Sequence, residues 1–322
     1  MKAIVYTTYG SPDVLQLTEV AKPTPKEDEV LVKVMAASVN AADVDYMRGA
    51  FLIRLGGMRK PTYSILGSDI AGRVESVGAK VTKFQVGDEV FGDLSECGFG
   101  AFAEYVSVPE RALASKPTNM TFEQTASVPS AAIIALQSLR DSGQIQRGQT
   151  VLINGAGGSV GPFAVQLAKL FGAEVTAVDK GAKLGFLRSL GADHVIDYTQ
   201  ADFTKNGQRY DLILDVVAYR SIFQYKRALS ATGRYVMVGG SLSAILQAVF
   251  VGGWMSRKGN QKLGLLMARL NNEDFVFMRG LLETGAVTPV IDRCYPLSQT
   301  ADAFRYLESG NAQGKIILTI AP

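Results

Sequence analysis

The strongest chemical signal in the sequence is a glycine-rich turn. It reads Asn154-Gly155-Ala156-Gly157-Gly158-Ser159-Val160-Gly161 and stands between the apolar run TVLIN and a segment of helical periodicity. Glycines lack β-carbons, so backbone amides can approach a diphosphate closely, and the start of the following helix adds unpaired N–H groups and a positive dipole end. This strand, turn and helix context predicts a dinucleotide-binding site over residues 155–161.

Charged residues after the next strand bear on which nicotinamide cofactor would bind. Asp179 lies 21 residues after Gly158, at the position where a carboxylate binds a ribose 2′-hydroxyl and repels a 2′-phosphate. Lys180 and Lys183 are able to neutralise a 2′-phosphate, and Tyr198 is able to stack on it or on adenine. Either lysine could equally belong to a solvated helix face. These residues leave NADH and NADPH both open.

The elements that must position this turn change in character along the chain. Up to about residue 123, short alternating runs such as KAIVY, EVLVKVMAASV and DEVFGD predict an antiparallel barrel or sandwich. The apolar runs TVLIN, EVTAV, DLILDVV and RYVMVGG then alternate with helical segments, which predicts a parallel sheet covered on both faces. The last sixty residues predict helices over Asn272–Glu283 and Ser298–Ser309, a strand at VTPVI and a terminal strand KIILTI.

Seven segments together resemble a known family. They are SVNAADVDYMRG (38–49), ILGSDIAGRVESVG (65–78), VGDEVFG (86–92), GAFAEYV (100–106), GAGGSVG (155–161), RSLGADHVIDY (188–198) and GKIIL (314–318). Jointly they resemble the zinc-free quinone oxidoreductase branch of the medium-chain dehydrogenase/reductase superfamily, over nearly the whole chain.

The resemblance implies an α/β fold with two domains. A GroES-like, β-rich catalytic domain is expected over residues 1–123, completed by a return segment over 263–322. A doubly wound Rossmann domain with a parallel sheet is expected between them, over residues 124–262. A cleft between the domains and a homodimer are implied as well.

Zinc-dependent relatives carry metal ligands at positions where this chain has other residues. A cysteine stands there at the position of Asn40, and a histidine-glutamate pair stands at Ser68-Asp69. The one histidine here, His194, is expected in the loop before a strand of the Rossmann domain. With two distant cysteines and one histidine, an ordinary three-ligand zinc site cannot be assembled, so no metal site is predicted.

The family's cofactor residues are matched unevenly. Lys183 and Tyr198 match a lysine and a tyrosine that contact the 2′-phosphate in NADPH-using members, whereas Asp179 replaces a small residue. The resemblance therefore favours NADP(H), with NAD(H) left open. Gly239, in RYVMVGG, and Lys315, in GKIIL, complete the predicted cofactor-binding residues.

Without a metal to polarise an alcohol or ketone, the acceptor must itself be electrophilic. A small hydrophobic quinone or α,β-unsaturated carbonyl compound is the expected substrate. Asn40, Asp45 and Tyr46 are the predicted catalytic residues, with Tyr46 or a water on Asp45 as proton donor. The substrate pocket is predicted to include Asp43, Phe51, Tyr63, Leu242 and Trp254.

Two substitutions leave alternatives open. Asp45 stands where relatives often have a tyrosine, and Ile134 where they often have a threonine near the nicotinamide. A redox sensor or structural protein that binds cofactor with little turnover is therefore one alternative. An enoyl-thioester reductase is another, because a phosphate-rich thioester would need a basic rim, for which the candidates are Arg48, Arg54, Arg59 and Lys60. Asp43 could equally have a structural role in a turn.

Composition limits the partners and the compartment. The 33 basic and 30 acidic residues are dispersed along the chain, which argues against nucleic acid as a partner. The N-terminus lacks a signal-peptide pattern, and a cytoplasmic protein is expected. The apolar segment from Leu242 to Met255 is too short to span a membrane and is expected to cover a pocket or a subunit contact. A membrane-surface helix is the alternative, because Arg257, Lys258 and Lys262 follow.

Overall fold

The computed structural model describes residues 1–54 and 56–320. Leu55, Ala321 and Pro322, which the predicted domain ranges include, lie outside the described residues. The chain divides into two compact units, Met1–Ser130 with Leu270–Pro322, and Ala131–Arg269. Both divisions fall seven residues after the boundaries expected from the sequence.

The first stretch of unit one is mainly antiparallel sheet, as the alternating runs predict. Strand β3 is central because its EVLVKVMAASV sequence is buried almost throughout, and it pairs antiparallel with β4 and β6. The strands are β1 (Lys2–Val5), β2 (Gln16–Glu19), β3 (Glu29–Val39), β4 (Asp69–Val77), β5 (Glu89–Asp93), β6 (Tyr105–Pro109) and β7 (Leu113–Ser115). The helices are α1 (Ala41–Arg48), α2 (Phe51–Arg54), α3 (Phe122–Ala126) and α4 (Pro129–Gln137), the last of which runs on into unit two.

Unit two is a doubly wound parallel sheet. Its strands are β8 (Thr150–Asn154), β9 (Glu174–Asp179), β10 (His194–Asp197), β11 (Tyr210–Asp215), β12 (Leu229–Met237) and β13 (Lys262–Leu265). Its further helices are α5 (Gly161–Leu170), α6 (Leu184–Ser189), α7 (Ile222–Ala228), α8 (Leu242–Leu246) and α9 (Gly253–Lys258). The spatial order β10-β9-β8-β11-β12-β13, parallel throughout, is that of a Rossmann domain and confirms the predicted fold class.

The C-terminal segment completes the sheet of unit one. It contains α10 (Asn272–Glu283), β14 (Ile291–Pro296), α11 (Thr300–Glu308) and β15 (Lys315–Thr319). Strand β15 pairs antiparallel with β3 and parallel with β14, so the order is β14-β15-β3-β4-β5-β7. The strand expected at VTPVI begins later than predicted, because β14 starts at Ile291, the last residue of that run and two residues after Pro289, which has no N–H to donate.

The apolar segment after β12 folds as one helical run from residue 242 to 258. Helices α8 and α9 are joined by a π-helical turn over Gln247–Gly252. Ala248, Gly252 and Met255 are buried against the sheet, whereas Phe250 and Trp254 are 69% and 56% exposed. The outer face of this segment is therefore exposed within this chain, and its expected role in covering a pocket or a subunit contact stays a prediction. In the described residues, none of the helices combines the length and apolarity needed to cross a membrane.

Candidate functional site

The glycine-rich turn follows β8 and leads into α5, as the sequence predicts. Gly155 has φ +81°, a conformation that favours glycine, and its amide and that of Ala156 donate to the Val178 carbonyl. A β-carbon at Gly161 would lie 2.0 Å from the Ala156 carbonyl oxygen, so only glycine fits there. At Gly158 a β-carbon would meet nothing closer than 3.6 Å. The turn thus keeps an open edge of backbone, which fits the close approach of a diphosphate.

Asp179 is held against this turn rather than projecting into solvent. Its Oδ2 accepts a hydrogen bond from the Gly157 amide at 2.8 Å, and Lys183 Nζ lies 3.7 Å from its Oδ1. Lys183 is itself buried, and a β-carbon on Gly157 would lie 2.6 Å from its Cδ. The interpretation of Lys183 as a solvated lysine is therefore wrong. The Lys180 amide also donates to Asp179, at 2.8 Å, so two backbone amides and one ammonium converge on this carboxylate.

Two tyrosines stand close together at the carboxyl edge of the same sheet. Tyr198 follows β10 and is 37% exposed, and its ring centroid lies 6.1 Å from that of Tyr219. The Arg220 guanidinium lies 5.1 Å from the Tyr219 ring and donates to Asp202 at 2.8 Å. Tyr219 and Arg220 were not identified from the sequence, although only Ala218 separates them from the apolar run DLILDVV. They add an aromatic and a basic group beside the predicted Tyr198.

A buried aspartate fixes the loop after β11. Asp215 accepts hydrogen bonds from Asn154 Nδ2 at 2.8 Å, the Ala218 amide at 2.9 Å and the Tyr235 hydroxyl at 2.8 Å. This loop also places Val217 where it would meet a β-carbon on Gly155 at 2.9 Å. Asp215 therefore fixes both Asn154, which precedes the glycine-rich turn, and the loop that packs against Gly155. Gly239, predicted to contact cofactor, lies after β12 with no heavy atom nearer than 4.0 Å to an added β-carbon.

Unit one contains a buried ion pair beside the predicted catalytic asparagine. Asp69 at the start of β4 and Lys315 at the start of β15 have no exposed surface, and Lys315 Nζ lies 3.0 Å from Asp69 Oδ2. Burial raises the pKa of Asp69, but the Lys315 ammonium and several hydrogen bonds outweigh it and leave the pKa below its ordinary value. Lys315 was expected to contact the cofactor, but its ammonium is buried inside unit one and paired with Asp69.

Both ends of the Asn40 side-chain amide are engaged in this cluster. Lys315 Nζ donates to Asn40 Oδ1 at 2.6 Å, and Asn40 Nδ2 donates to Asp69 Oδ2 at 3.0 Å and to Ser68 Oγ at a longer 3.4 Å. Ser38 Oγ donates to the same Asp69 oxygen at 2.7 Å. Asn40 is therefore a fixed part of the network, and its amide N–H groups already have acceptors.

Ser130 extends the network to another buried carboxylate that the sequence analysis missed. Its amide donates to Asp69 Oδ1 at 3.0 Å, and its hydroxyl contacts both that oxygen and, at 2.9 Å, Asp93 Oδ2. Burial, reinforced by the Asp69 charge, raises the pKa of Asp93 to about 6. A hydroxyl has one hydrogen and cannot donate to both carboxylates, so both contacts are satisfied when Asp93 is protonated and donates to Ser130.

Asp43 has a structural position rather than an open one. It is fully buried, and its carboxylate accepts from the Asn40 amide at 2.8 Å and the Gly67 amide at 3.1 Å, closing the N-terminus of α1. Burial raises its pKa to about 7. Of the alternatives that the sequence left open, the geometry favours the structural role over contact with substrate.

An aromatic cluster surrounds the predicted proton donor. The Tyr46 ring lies 4.6 Å from Phe99 and 6.0 Å from Tyr63, and Tyr63 lies 5.1 Å from Phe99. Partial burial, with Tyr63 nearby, raises the pKa of Tyr46, so its hydroxyl keeps its proton at neutral pH. Desolvation also raises the pKa of Asp45. Phe51, predicted beside them, is instead 65% exposed on α2.

The other singled-out residues lie apart from these clusters. Leu242 is half-buried at the start of α8, and Trp254 faces outward on α9. Arg48 pairs with Glu308, and Arg54 Nε donates to the Gly49 carbonyl at 2.8 Å, so two of the four residues of the predicted basic rim are engaged locally. His194 is the first residue of β10 rather than part of a loop, and it contacts Glu174 at 2.7 Å.

Comparison with known proteins decides the family. Residues 26–118 match the family described as "Alcohol dehydrogenase GroES-like domain", and residues 190–318 match "Zinc-binding dehydrogenase". The 2-methylene-furan-3-one reductase of Solanum lycopersicum is 38% identical over 336 residues, which cover 100% of this chain and 80% of the relative. This chain belongs to the medium-chain dehydrogenase/reductase superfamily. Within it, the structure of the quinone oxidoreductase from Coxiella burnetii superposes with a TM-score of 0.90 at 29% identity, covering 100% of this chain and 99% of that one.

A second relative supports the same branch of the superfamily. The chloroplastic NADPH-dependent alkenal/one oxidoreductase of Arabidopsis thaliana is 35% identical over 334 residues, again 100% of this chain and 80% of the relative. As a member of this quinone-oxidoreductase-like branch, the chain is an oxidoreductase. The part of the chain that the structure describes contains no group of three or more His, Cys, Asp or Glu side chains arranged to hold a metal ion.

Proposed function

We propose that this chain is a zinc-independent, NAD(P)H-dependent reductase of quinones and α,β-unsaturated carbonyl compounds. The observation that carries the proposal is the network around Asn40. At the positions where zinc-dependent relatives place ligands, Asn40, Ser68 and Asp69 bond to one another, and Asp69 is neutralised by Lys315. An amide, a hydroxyl and a carboxylate paired with an ammonium are a poor donor set for zinc. The substrate must then be activated by its own conjugation.

The names of the relatives agree with this substrate class. The tomato relative is named for a furanone with a conjugated methylene group, and the Arabidopsis relative for alkenals and alkenones. In these compounds the β-carbon accepts hydride and the oxygen becomes an enolate, so no metal is needed to polarise an isolated carbonyl. A small hydrophobic substrate and a homodimeric cytoplasmic enzyme complete the proposal.

The residues of unit two fit a nicotinamide dinucleotide. When bound, a reduced nicotinamide supplies the hydride. The backbone between Gly155 and Gly161 would hold the diphosphate, because the missing β-carbons permit its close approach and α5 begins there. Asp179 and Lys183 would contact the adenosine ribose, and Tyr198 with Tyr219 would contact the adenine.

The residues of unit one bear on the proton that must follow the hydride. Asn40 has its amide N–H groups on Asp69 and Ser68, so it positions the cluster rather than donating to substrate. Tyr46 keeps its proton at neutral pH because its pKa is raised, and it stands beside Tyr63 and Phe99. We assign Tyr46, or a water on Asp45, as the donor to the developing enolate oxygen.

For the cofactor we propose a preference for NADPH that Asp179 weakens. Lys180 and Lys183 bring two positive charges to the end of β9, but Asp179 lies 3.7 Å from the Lys183 ammonium and would repel a 2′-phosphate. Asp179→Ser should raise the ratio of kcat/KM for NADPH to that for NADH by about tenfold or more, since one unpaired charge contact is worth about 1.4 kcal/mol or more. Lys183→Ala should lower the same ratio.

The matched control removes a carboxylate from another part of unit two. Asp141 pairs with Arg140 on the surface, so Asp141→Ser makes the same change in net charge and should leave the ratio unaltered. An unchanged ratio in Asp179→Ser would show that this carboxylate does not face the ribose.

The function itself is tested with purified protein and each reduced cofactor in turn. Acceptors are 1,4-naphthoquinone, a 2-alkenal and a crotonyl thioester, and the loss of nicotinamide absorbance is followed. We expect turnover with the first two and no stoichiometric zinc by elemental analysis. Turnover with the thioester alone would favour an enoyl-thioester reductase. Cofactor binding without oxidation by any acceptor would favour a redox sensor, and either result would overturn the proposal.

A further inference from the structure

The helical run over residues 242–258 presents an apolar face to solvent. Its inner face is buried, with Ala248 and Met255 packed into the core of unit two. Its outer side chains recur at helical spacing and are Leu246, Val249, Phe250 and Trp254, which are 47%, 47%, 69% and 56% exposed. A surface helix of a globular protein normally places polar residues on this side. An exposed apolar face of this kind marks an interaction surface.

Positive charge accompanies this face without any acidic residue nearby in the sequence. Residues 216–272 contain eight Lys or Arg and no Asp or Glu, whereas the whole chain has nearly balanced charges. Arg257 and Lys258 are exposed at the end of α9, and the Lys258 ammonium lies 4.7 Å from the Trp254 ring centroid.

The end of α7 adds further cations to the same region. Gln261 Nε2 donates to the Lys226 carbonyl at 3.1 Å, which places the C-terminus of α7 beside the residues that follow α9. Lys226 and Arg227 are both exposed there. The apolar face therefore ends at a cluster of at least four exposed cations.

We propose that this face docks on an anionic lipid surface, with the helix lying in the plane of the interface. An apolar side bordered by Lys and Arg, with a tryptophan at the boundary, suits the junction of lipid headgroups and acyl chains. A second copy of the chain fits less well. A symmetric contact would place this face against itself, and residues 216–272 provide no acidic side chain with which the cations could pair across it. This proposal does not depend on the proposed enzymatic function.

The chain carries its own probe for the test. Trp254 is the only tryptophan and lies on the proposed face. Full-length protein is titrated with vesicles of phosphatidylcholine alone, or of seven parts phosphatidylcholine to three parts phosphatidylglycerol, at low and at physiological salt. With the anionic vesicles we expect a blue shift of Trp254 emission, quenching by brominated acyl chains, and weaker binding at the higher salt.

Two pairs of variants separate the face from general surface properties. Val249→Ser/Phe250→Ser should weaken binding by more than about tenfold, because two exposed apolar side chains are lost from the face. Val276→Ser/Phe277→Ser makes the same substitutions on α10, where these side chains are 59% and 42% exposed, and should bind as the wild type does.

A second comparison tests the charge. Arg257→Gln/Lys258→Gln should weaken binding by about 25-fold, since each cation near an anionic surface contributes about fivefold. Lys26→Gln/Lys80→Gln removes two exposed lysines from unit one and should have no effect. Co-flotation with vesicles is the readout here, because Lys258 contacts Trp254 and its loss would alter the emission directly.

Several outcomes would overturn the proposal. One is the absence of any Trp254 response to anionic vesicles. Others are equal binding to neutral vesicles, or an equal loss in the 249/250 and 276/277 variants. A fourth is a wild-type dimer, by size-exclusion chromatography with light scattering, that becomes monomeric in Val249→Ser/Phe250→Ser without any vesicle binding. That last result would assign the face to a contact between copies.

Discussion

Replacing Lys315 by methionine should destabilise unit one strongly. Lys315 and Asp69 have no exposed surface and lie 3.0 Å apart, so the variant leaves a buried carboxylate without its counter-charge. At an effective dielectric constant of about 20, two unit charges at this distance attract by about 5 kcal/mol. Measured losses on removing one partner of a buried pair are about 3–5 kcal/mol. Because Ser38 and Ser130 still donate to Asp69, we expect a loss near the lower value.

The loss should depend on pH in a definite direction. Lys315 contributes to holding the pKa of Asp69 below its ordinary value, so the ionised carboxylate stabilises the fold above the unfolded-state pKa of about 3.9, and this contribution is lost as the pH falls through the folded-state pKa. In Lys315→Met the folded-state pKa of Asp69 rises. The difference in stability between wild type and variant should therefore be largest at neutral pH and shrink as the pH falls through the raised pKa of Asp69 in the variant.

The assay is urea denaturation followed by circular dichroism at several pH values. Lys22→Met is the control, because Lys22 makes an ion pair of similar length, 2.6 Å to Glu75, with both side chains 40% exposed. It should not shift the denaturation midpoint. Asp69→Asn/Lys315→Met should cost less than the sum of the two single variants. A loss in Lys315→Met below about 1 kcal/mol, or one independent of pH, would refute the reasoning.

Two further predictions concern single residues. Gly161→Ala should abolish cofactor binding, measured by calorimetric titration, because its β-carbon would lie 2.0 Å from the Ala156 carbonyl oxygen. Gly185→Ala on α6 meets nothing within 4 Å and should stabilise the protein by about 0.5–1 kcal/mol, measured by thermal melting. Equal behaviour of the two variants would contradict the geometry. Burial raises the pKa of Asp43 from 3.8 to about 7, so the fold favours its protonated form and its contribution to stability declines as pH rises between these values. Asp43→Asn removes this titration, so the stability of the variant relative to the wild type should increase as the pH rises across that window. A difference in denaturation midpoint that does not change with pH would contradict the reasoning.

Local patterns predicted most of the fold. The run EVLVKVMAASV became β3 from Glu29 to Val39, and helix α10 spans Asn272–Glu283 as the periodicity indicates. The glycine-rich turn could be found because its function depends on the missing β-carbons of adjacent residues. Each of these signals lies within a few residues of chain, which is the range that sequence periodicity covers.

The polar cluster of unit one could not be predicted in the same way. Asn40 and Asp69 were singled out by position, but their partners are Ser130 and Lys315, far away along the chain. Sheet register brings them together, because β15 pairs with β3 and β3 pairs with β4. Lys315 was accordingly expected at the cofactor rather than under Asn40. Asp93 was missed because DEVFGD indicates only a strand and its end.

A signal for these partners was nevertheless present in the sequence. A charged residue in a strand that is otherwise apolar will be buried, and a buried charge requires either an opposite charge or several hydrogen-bond donors. Asp69 in DIAG, Lys315 in KIIL and Asp215 in LILD meet that condition. The first two pair with each other, whereas Asp215 is satisfied by the neutral donors Asn154, Ala218 and Tyr235. Because the loss of a neutral donor changes no charge in the interior, whereas the loss of Lys315 leaves Asp69 without its counter-charge, removal of one donor from Asp215 should be tolerated better than removal of Lys315 from Asp69.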